Sequence, residues 1–389
     1  MASTWRLWVV DSGFPAVPLF EFARTAPLWF DRLLHLVIII GLAGLLVLRG
    51  RSRWECAGAV AVSSSLAASF VLNQHRIQPW AYLAAIGCLA FTCGDPGRTL
   101  SLWRILSVSV YIFSAMSKID YAFLDGMGLR FLTIGLSFFR SEPSDLPRVV
   151  QNVAIFAMPA GELAIGCGLL WERTRLFALA LCVLLHGTLI LILGPAGLHH
   201  QPAVLIWNAE FMLQVLILFT SHGRCPTLAA HGNARTFSGR LAEWVTVVAM
   251  VCPLWEPVGI ADHWPSWSLY SEQVDKVEVY VRTDAVSRVP WELRQWARTD
   301  PVNREWTKVY IEQWSLNRLR APVYPEDRFQ LGIAIALAER CRLDRSVLVR
   351  IHSPPHRRRG DRTREDLVGM HALREKANSF WLNARPREE

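Results

Sequence analysis

The sequence predicts an all-α polytopic membrane domain of about eight transmembrane helices, followed by a small α+β soluble domain. Three observations carry that prediction. Hydrophobic residues make up 52% of the 389 residues, and mean hydropathy is +0.24, too apolar for an ordinary water-soluble enzyme. The apolar residues are concentrated between residue 28 and about residue 259, in runs near the ~20 residues that a membrane span requires. From Ala261 onward charges are frequent, and no run is long enough to cross a bilayer.

In chain order, residues 1–29 are expected to lie at the membrane interface. The apolar stretch 5–10 is short, carries Arg6 and stops at Asp11, so it makes a poor signal peptide, whereas Phe14, Phe20, Phe22 and Trp29 suit a headgroup layer. The transmembrane domain spans 30–259. Its apolar segments run roughly over 30–48, 55–72, 79–94, 100–117, 149–171, 176–194, 202–220 and 241–259, the third and last being short. Residues 121–139 are apolar but broken by Asp125, Arg130 and glycines, which fits a re-entrant or interfacial helix better than a span. Alternate loops hold Arg49, Arg51, Arg53, then Arg98 and Arg104, then Arg173 and Arg175, then Arg224, Arg235 and Arg240. That bias marks the cytoplasmic side and places the C-terminal domain outside it, in a bacterial-type inner membrane. Residues 260–389 form the soluble domain. The alternation of 274–281 predicts a strand, as does 346–351, while 290–298 and 326–340 carry helical signals after prolines.

The net charge of +8 does not point to nucleic acid. Much of it is arginine in short loops beside apolar segments, and acidic residues interleave with the cluster Arg357, Arg358, Arg359, Arg362 and Arg364, so that cluster reads as a solvated loop. Six of the eight cysteines lie in apolar segments and no Cys-x-x-Cys occurs, which argues against a zinc ribbon or a dithiol.

Polar residues at membrane depth are costly, so each is a site hypothesis. Ser114 and Lys118 are four apart on one helix face. Lys118 is either a lysine snorkelling at the helix end, paired with Asp120, or a partly buried amine kept neutral enough to act as a base. Glu162 follows Pro159, whose ring frees a backbone carbonyl, and it needs a partner elsewhere or a proton. His186 stands alone in an apolar stretch, as a core histidine commonly does, and without His-x-x-x-His no metal centre is expected. Asn208, Glu210 and Gln214 fall in one segment, with Trp207, Glu210 and Gln214 on one face. Arg76 and Trp80, in the turn NQHRIQPW, either line the mouth of a cavity or form an ordinary polar turn with an interfacial tryptophan.

The stretch YIFSAMSKIDYAFLDG resembles the signature of the HTTM superfamily, the vitamin K-dependent carboxylase-like membrane proteins. NQHRIQPWAY, GELAIGCGLLW, LLHGTLILILGP and HWPSWSLYSEQVDKVEVYV follow that family's order. The resemblance implies that Lys118 is the base that deprotonates a reduced quinone, with His186 matching more loosely and Glu162 and Glu210 shaping the pocket. Ser114, Asn208, Gln214, Arg76 and Trp80 would then contact the cofactor. GPAGLHHQPAVLIWN departs from the family's aromatic element after the histidine helix, which leaves substrate and reaction open. Partners implied are the lipid bilayer and a quinone or peptide substrate, with no nucleic acid. A non-catalytic redox accessory protein of DoxX/MauE-like layout is the alternative. A small-solute transporter is less favoured, since no inverted repeat is visible.

Overall fold

A computed structural model describes residues 2–9, 12–47, 52–93, 95–220 and 237–388. Arg49, Arg51, Arg224 and Arg235, used above for orientation, lie outside the described residues. The apolar segments form helices α1 (Leu28–Val47), α2 (Ser52–Leu72), α3 (Pro79–Ala90) and α4 (Pro96–Met116). After an excursion containing α5 (Met127–Ser137) come α6 (Arg148–Leu170), α7 (Glu172–Leu193), α8 (Pro202–Thr220) and α9 (Phe237–Val251). Among the described residues, seven helices are long and apolar enough to cross a membrane, α9 being extended by the turn to Val258. That set is what a multi-pass integral membrane protein requires. All eight expected apolar segments are helical, but the count of full-length spans is seven. The twelve residues of α3 reach only about 18 Å at 1.5 Å per residue. Residues 121–139 are not among the spans.

Local chemistry sets the helix starts. Pro79 and Pro96 occupy first-turn positions, where the missing N–H costs nothing, and the Asp95 carboxylate caps α4 by accepting from Gly97 N at 3.0 Å. Gly166 brings α6 against α4: a Cβ there would lie 2.8 Å from Ile112 Cγ1. Gly128 does the same for α5 against α6, where a Cβ would lie 2.4 Å from Ile155 Cγ2.

The C-terminal region holds a five-stranded antiparallel sheet, ordered β2-β3-β1-β4-β5, built from β1 (Lys276–Arg282), β2 (Arg298–Thr299), β3 (Trp306–Val309), β4 (Val347–His352) and β5 (Arg364–Val368). Helices α10 (Ile311–Leu319), α11 (Asp327–Arg340) and α12 (Gly369–Ser379) complete it, with α11 and α12 packed on β1, β4 and β5. The strands expected at 274–281 and 346–351 and the helix at 326–340 are present. Arg362 is not solvated: it donates to the carbonyls of Val274, Ser353 and Glu272 at 2.7–2.8 Å.

One apolar core joins the two regions. Ile38, Val62 and Leu66 of the bundle, Leu7, Trp8, Phe14 and Val17 of the N-terminal segment, and Val279, Phe329 and Val349 of the sheet domain are buried in a single cluster. A second core fills the centre of the bundle between α3, α4, α6, α7 and α8.

Candidate functional site

Along α4, Arg104, Ser107, Tyr111 and Ser114 recur at steps of three and four residues, and Lys118 continues the series in the turn after the helix. Such spacing puts all five on one face, and each meets a different part of the bundle. Arg104 Nε donates to Leu218 O of α8 at 2.7 Å. Ser107 Oγ accepts from Gln214 Nε2 at 3.0 Å. Tyr111 reaches α7, and Lys118 reaches α6.

The Lys118 side chain is fully buried. Its ammonium donates to Ser114 O at 2.8 Å, to Ser114 Oγ at 2.6 Å and to Glu162 Oε2 at 2.8 Å, with Glu162 Oε1 at 3.2 Å. Lys118 therefore pairs with Glu162, forty-four residues away, and not with Asp120, whose Oδ1 accepts from Phe123 N at 2.8 Å. The close packing at Gly166, one turn beyond Glu162, sets the carboxylate at that distance.

One turn along the same face, Tyr111 OH lies 2.8 Å from His186 Nε2 and 3.2 Å from Cys182 Sγ. His186 Nδ1 is 3.0 Å from Asn208 Oδ1, and Asn208 Nδ2 donates to Val204 O at 2.9 Å. The amide oxygen faces His186, so Nδ1 donates to it. His186 is held between α4 and α8 by Tyr111 and Asn208.

The structure thus brings together Lys118, Ser114 and Glu162 as one group, and His186 and Asn208 as its neighbour, with Gln214 of α8 meeting α4 farther along, at Ser107. Glu210 sits on the exposed face of α8, apart from them. Arg76 and Trp80 belong to another cluster. Arg76 Nη1 is 2.6 Å from Asp31 Oδ1, and Trp80 packs on Trp8 at 5.6 Å between ring centroids. Tyr111 and Ser107 are the residues that sequence reasoning missed, although the three-and-four spacing of polar residues in an apolar segment was visible; Arg104, read above as a loop charge, is instead buried within α4. Among the described residues no group of three or more His, Cys, Asp and Glu side chains is placed to hold a metal ion.

The end of the bundle beside Lys118 is closed by the connection between α9 and β1. Ser271 Oγ donates to Ser117 O at 2.9 Å. Trp267 is fully buried against Tyr82 and shares the bundle core with Tyr111, and Tyr270 packs on Phe131. Both aromatic residues have left-handed backbones, φ +60° and +59°, a costly conformation for bulky side chains. In the same connection His263 Nδ1 is 2.8 Å from Glu326 Oε1, and Nε2 is 2.7 Å from Gln273 O. Both ring nitrogens face acceptors, so both carry protons. Burial works against that charge, but Glu326 and Glu256 outweigh it and push the pKa up to about 9.

Comparison of the chain with family models, with curated proteins and with solved structures returned no match.

Proposed function

We propose that this chain is a quinone-linked membrane enzyme of the carboxylase-like type, with Lys118 as its base and Glu162 as the group that holds the exchanged proton. The observation that carries this reading is the buried Lys118–Glu162 pair, 2.8 Å apart and flanked by an ordered tyrosine–histidine–asparagine chain. In a low-dielectric site, passing one proton from the ammonium to the carboxylate turns an ion pair into a neutral amine beside a neutral acid, which removes the cost of two buried charges. The amine then has a lone pair for a substrate hydroxyl, and the proton it accepts returns to the pair's shared pool. A reduced quinone is the acid that the sequence resemblance supplies. In the same reading the arginine-rich loops face the cytoplasm, and the sheet domain lies on the outer side of a bacterial-type inner membrane.

One observation favours the second reading, a non-catalytic accessory protein. All three ammonium protons of Lys118 already have acceptors, as a structural pair needs. Isotope incorporation separates the two. The protein in lipid nanodiscs is given reduced quinones, oxygen, labelled bicarbonate and Glu-containing peptides, and wild type is compared with Lys118→Ala. Label fixed only by wild type establishes a carboxylase with Lys118 as base. Quinone oxidation without fixation keeps the redox chemistry and discards carboxylation. Neither outcome, together with co-purification of a partner protein, makes the accessory reading the right one.

A further inference from the structure

A cavity of about 830 Å³ lies where the N-terminal segment, the start of α1 and the C-terminal tail meet. Its polar wall is built around one carboxylate held between two guanidiniums. Asp31 Oδ1 is 2.6 Å from Arg76 Nη1, and Asp31 Oδ2 is 3.0 Å from Arg387 Nη1. Asp31 and Arg76 are 2% exposed and the Arg387 side chain 8%.

Counted by charge, this buried triad is one positive charge in excess. His35, 3.9 Å from Asp31, adds no negative charge. Among the described residues, the other carboxylates on the cavity wall are matched elsewhere: Glu388 with Arg24 at 3.0 Å and Glu339 with Arg374 at 2.8 Å. A buried charge without a counter-charge is strongly unfavourable, and here it borders open space into which an anion fits. Arg76 uses Nε on Leu7 O and Nη1 on Asp31, which leaves its second terminal nitrogen for a ligand.

The remaining wall selects the kind of anion. Pro27 and Leu28, where the first span begins, line the cavity together with Leu7 and Val9. The start of a span is where headgroups are expected, and there a basic pocket can recognise anionic lipid. We infer that this cavity is a binding site for the phosphate of an anionic phospholipid, held by Arg76 and Arg387 at the mouth of α1. The inference concerns a separate cluster and does not rest on the role proposed for Lys118.

The test measures thermal unfolding of the delipidated full chain in neutral detergent, titrated with phosphatidylglycerol, phosphatidylcholine or inorganic phosphate. Phosphatidylglycerol is expected to raise the midpoint where phosphatidylcholine does not. In Arg387→Gln, which keeps amide donors near Asp31 and Ala26 O but removes the excess charge, the phosphatidylglycerol concentration for half-maximal effect should rise about tenfold, the scale of one lost charge-assisted contact. Asp31→Asn, which raises the excess to two, should deepen the dependence on phosphatidylglycerol; if that variant does not fold, Arg387→Gln alone decides. Equal responses to the two lipids would overturn the inference. So would a phosphatidylglycerol response that Arg387→Gln leaves unchanged. Inorganic phosphate matching the lipid would overturn the lipid assignment in favour of a soluble anion.

Discussion

At the scale of residues, the chemistry turns on pairs whose members lie far apart in the chain. Glu162→Gln leaves the Lys118 ammonium buried without a counter-charge, and the expected loss is about 3–5 kcal/mol of stability, read as a lowered unfolding midpoint in nanodiscs. The double replacement Lys118→Met with Glu162→Leu removes both charges and should recover most of that loss. If the double variant were as unstable as the single one, the pair would not be the source of the effect. Lys118, Ser114 and Glu162 were legible singly, because ionisable residues in apolar runs stand out. Their partnership was not, since no local spacing links residues forty-four apart. Asp31 carried even less signal: a lone aspartate at the start of an apolar run looks like an ordinary helix beginning, and no local spacing links it to Arg76, forty-five residues on.

At the scale of elements, helix packing decides which side chains can meet. Gly166 has Ile112 and Tyr111 directly against it, so Gly166→Val forces α6 away from α4 and should cost about 1–3 kcal/mol. The same displacement separates Glu162 from Lys118. The expected sign is a lowered unfolding midpoint, accompanied by new reactivity of Lys118 toward an amine-directed label, whereas Gly161→Val, at a position with open space around its Cβ, should leave the label excluded. The apolar helices were legible because about 20 consecutive apolar residues admit few other structures in lipid. In the sheet domain, β1, α11 and β4 announced themselves by alternation or helical spacing. The strands β3 and β5 and helix α12 did not: WTKV and REDLV are short and charged, and the surrounding sheet, not their own composition, makes them strands.

At the scale of the whole molecule, the link between bundle and sheet domain passes through His263. Its folded pKa, about 9, lies above the ordinary histidine value near 6.5. Protonation therefore favours the folded state: the contribution is complete below about pH 6.5 and is lost as pH rises through about 9. Thermal midpoints should fall across that window in wild type, and His263→Gln should flatten the fall while lowering stability at neutral pH. A window unchanged in the variant would assign the dependence to another group. The shared core has a consequence in time as well as in energy. Gln74 Nε2 donates to Pro18 O and to Asn383 O, at 2.9 and 2.8 Å, and Asp31 waits for Arg387. These groups emerge from the ribosome more than three hundred residues apart. While the helices are being inserted, Gln74 and Asp31 lack their last partners, so the membrane bundle cannot reach its final form before translation has delivered residues 383–387. Removal of residues 381–388 should give a chain that enters the membrane yet stays sensitive to protease in the 73–78 turn, detectable by limited proteolysis of membranes. Assembly in this protein is timed by its tail.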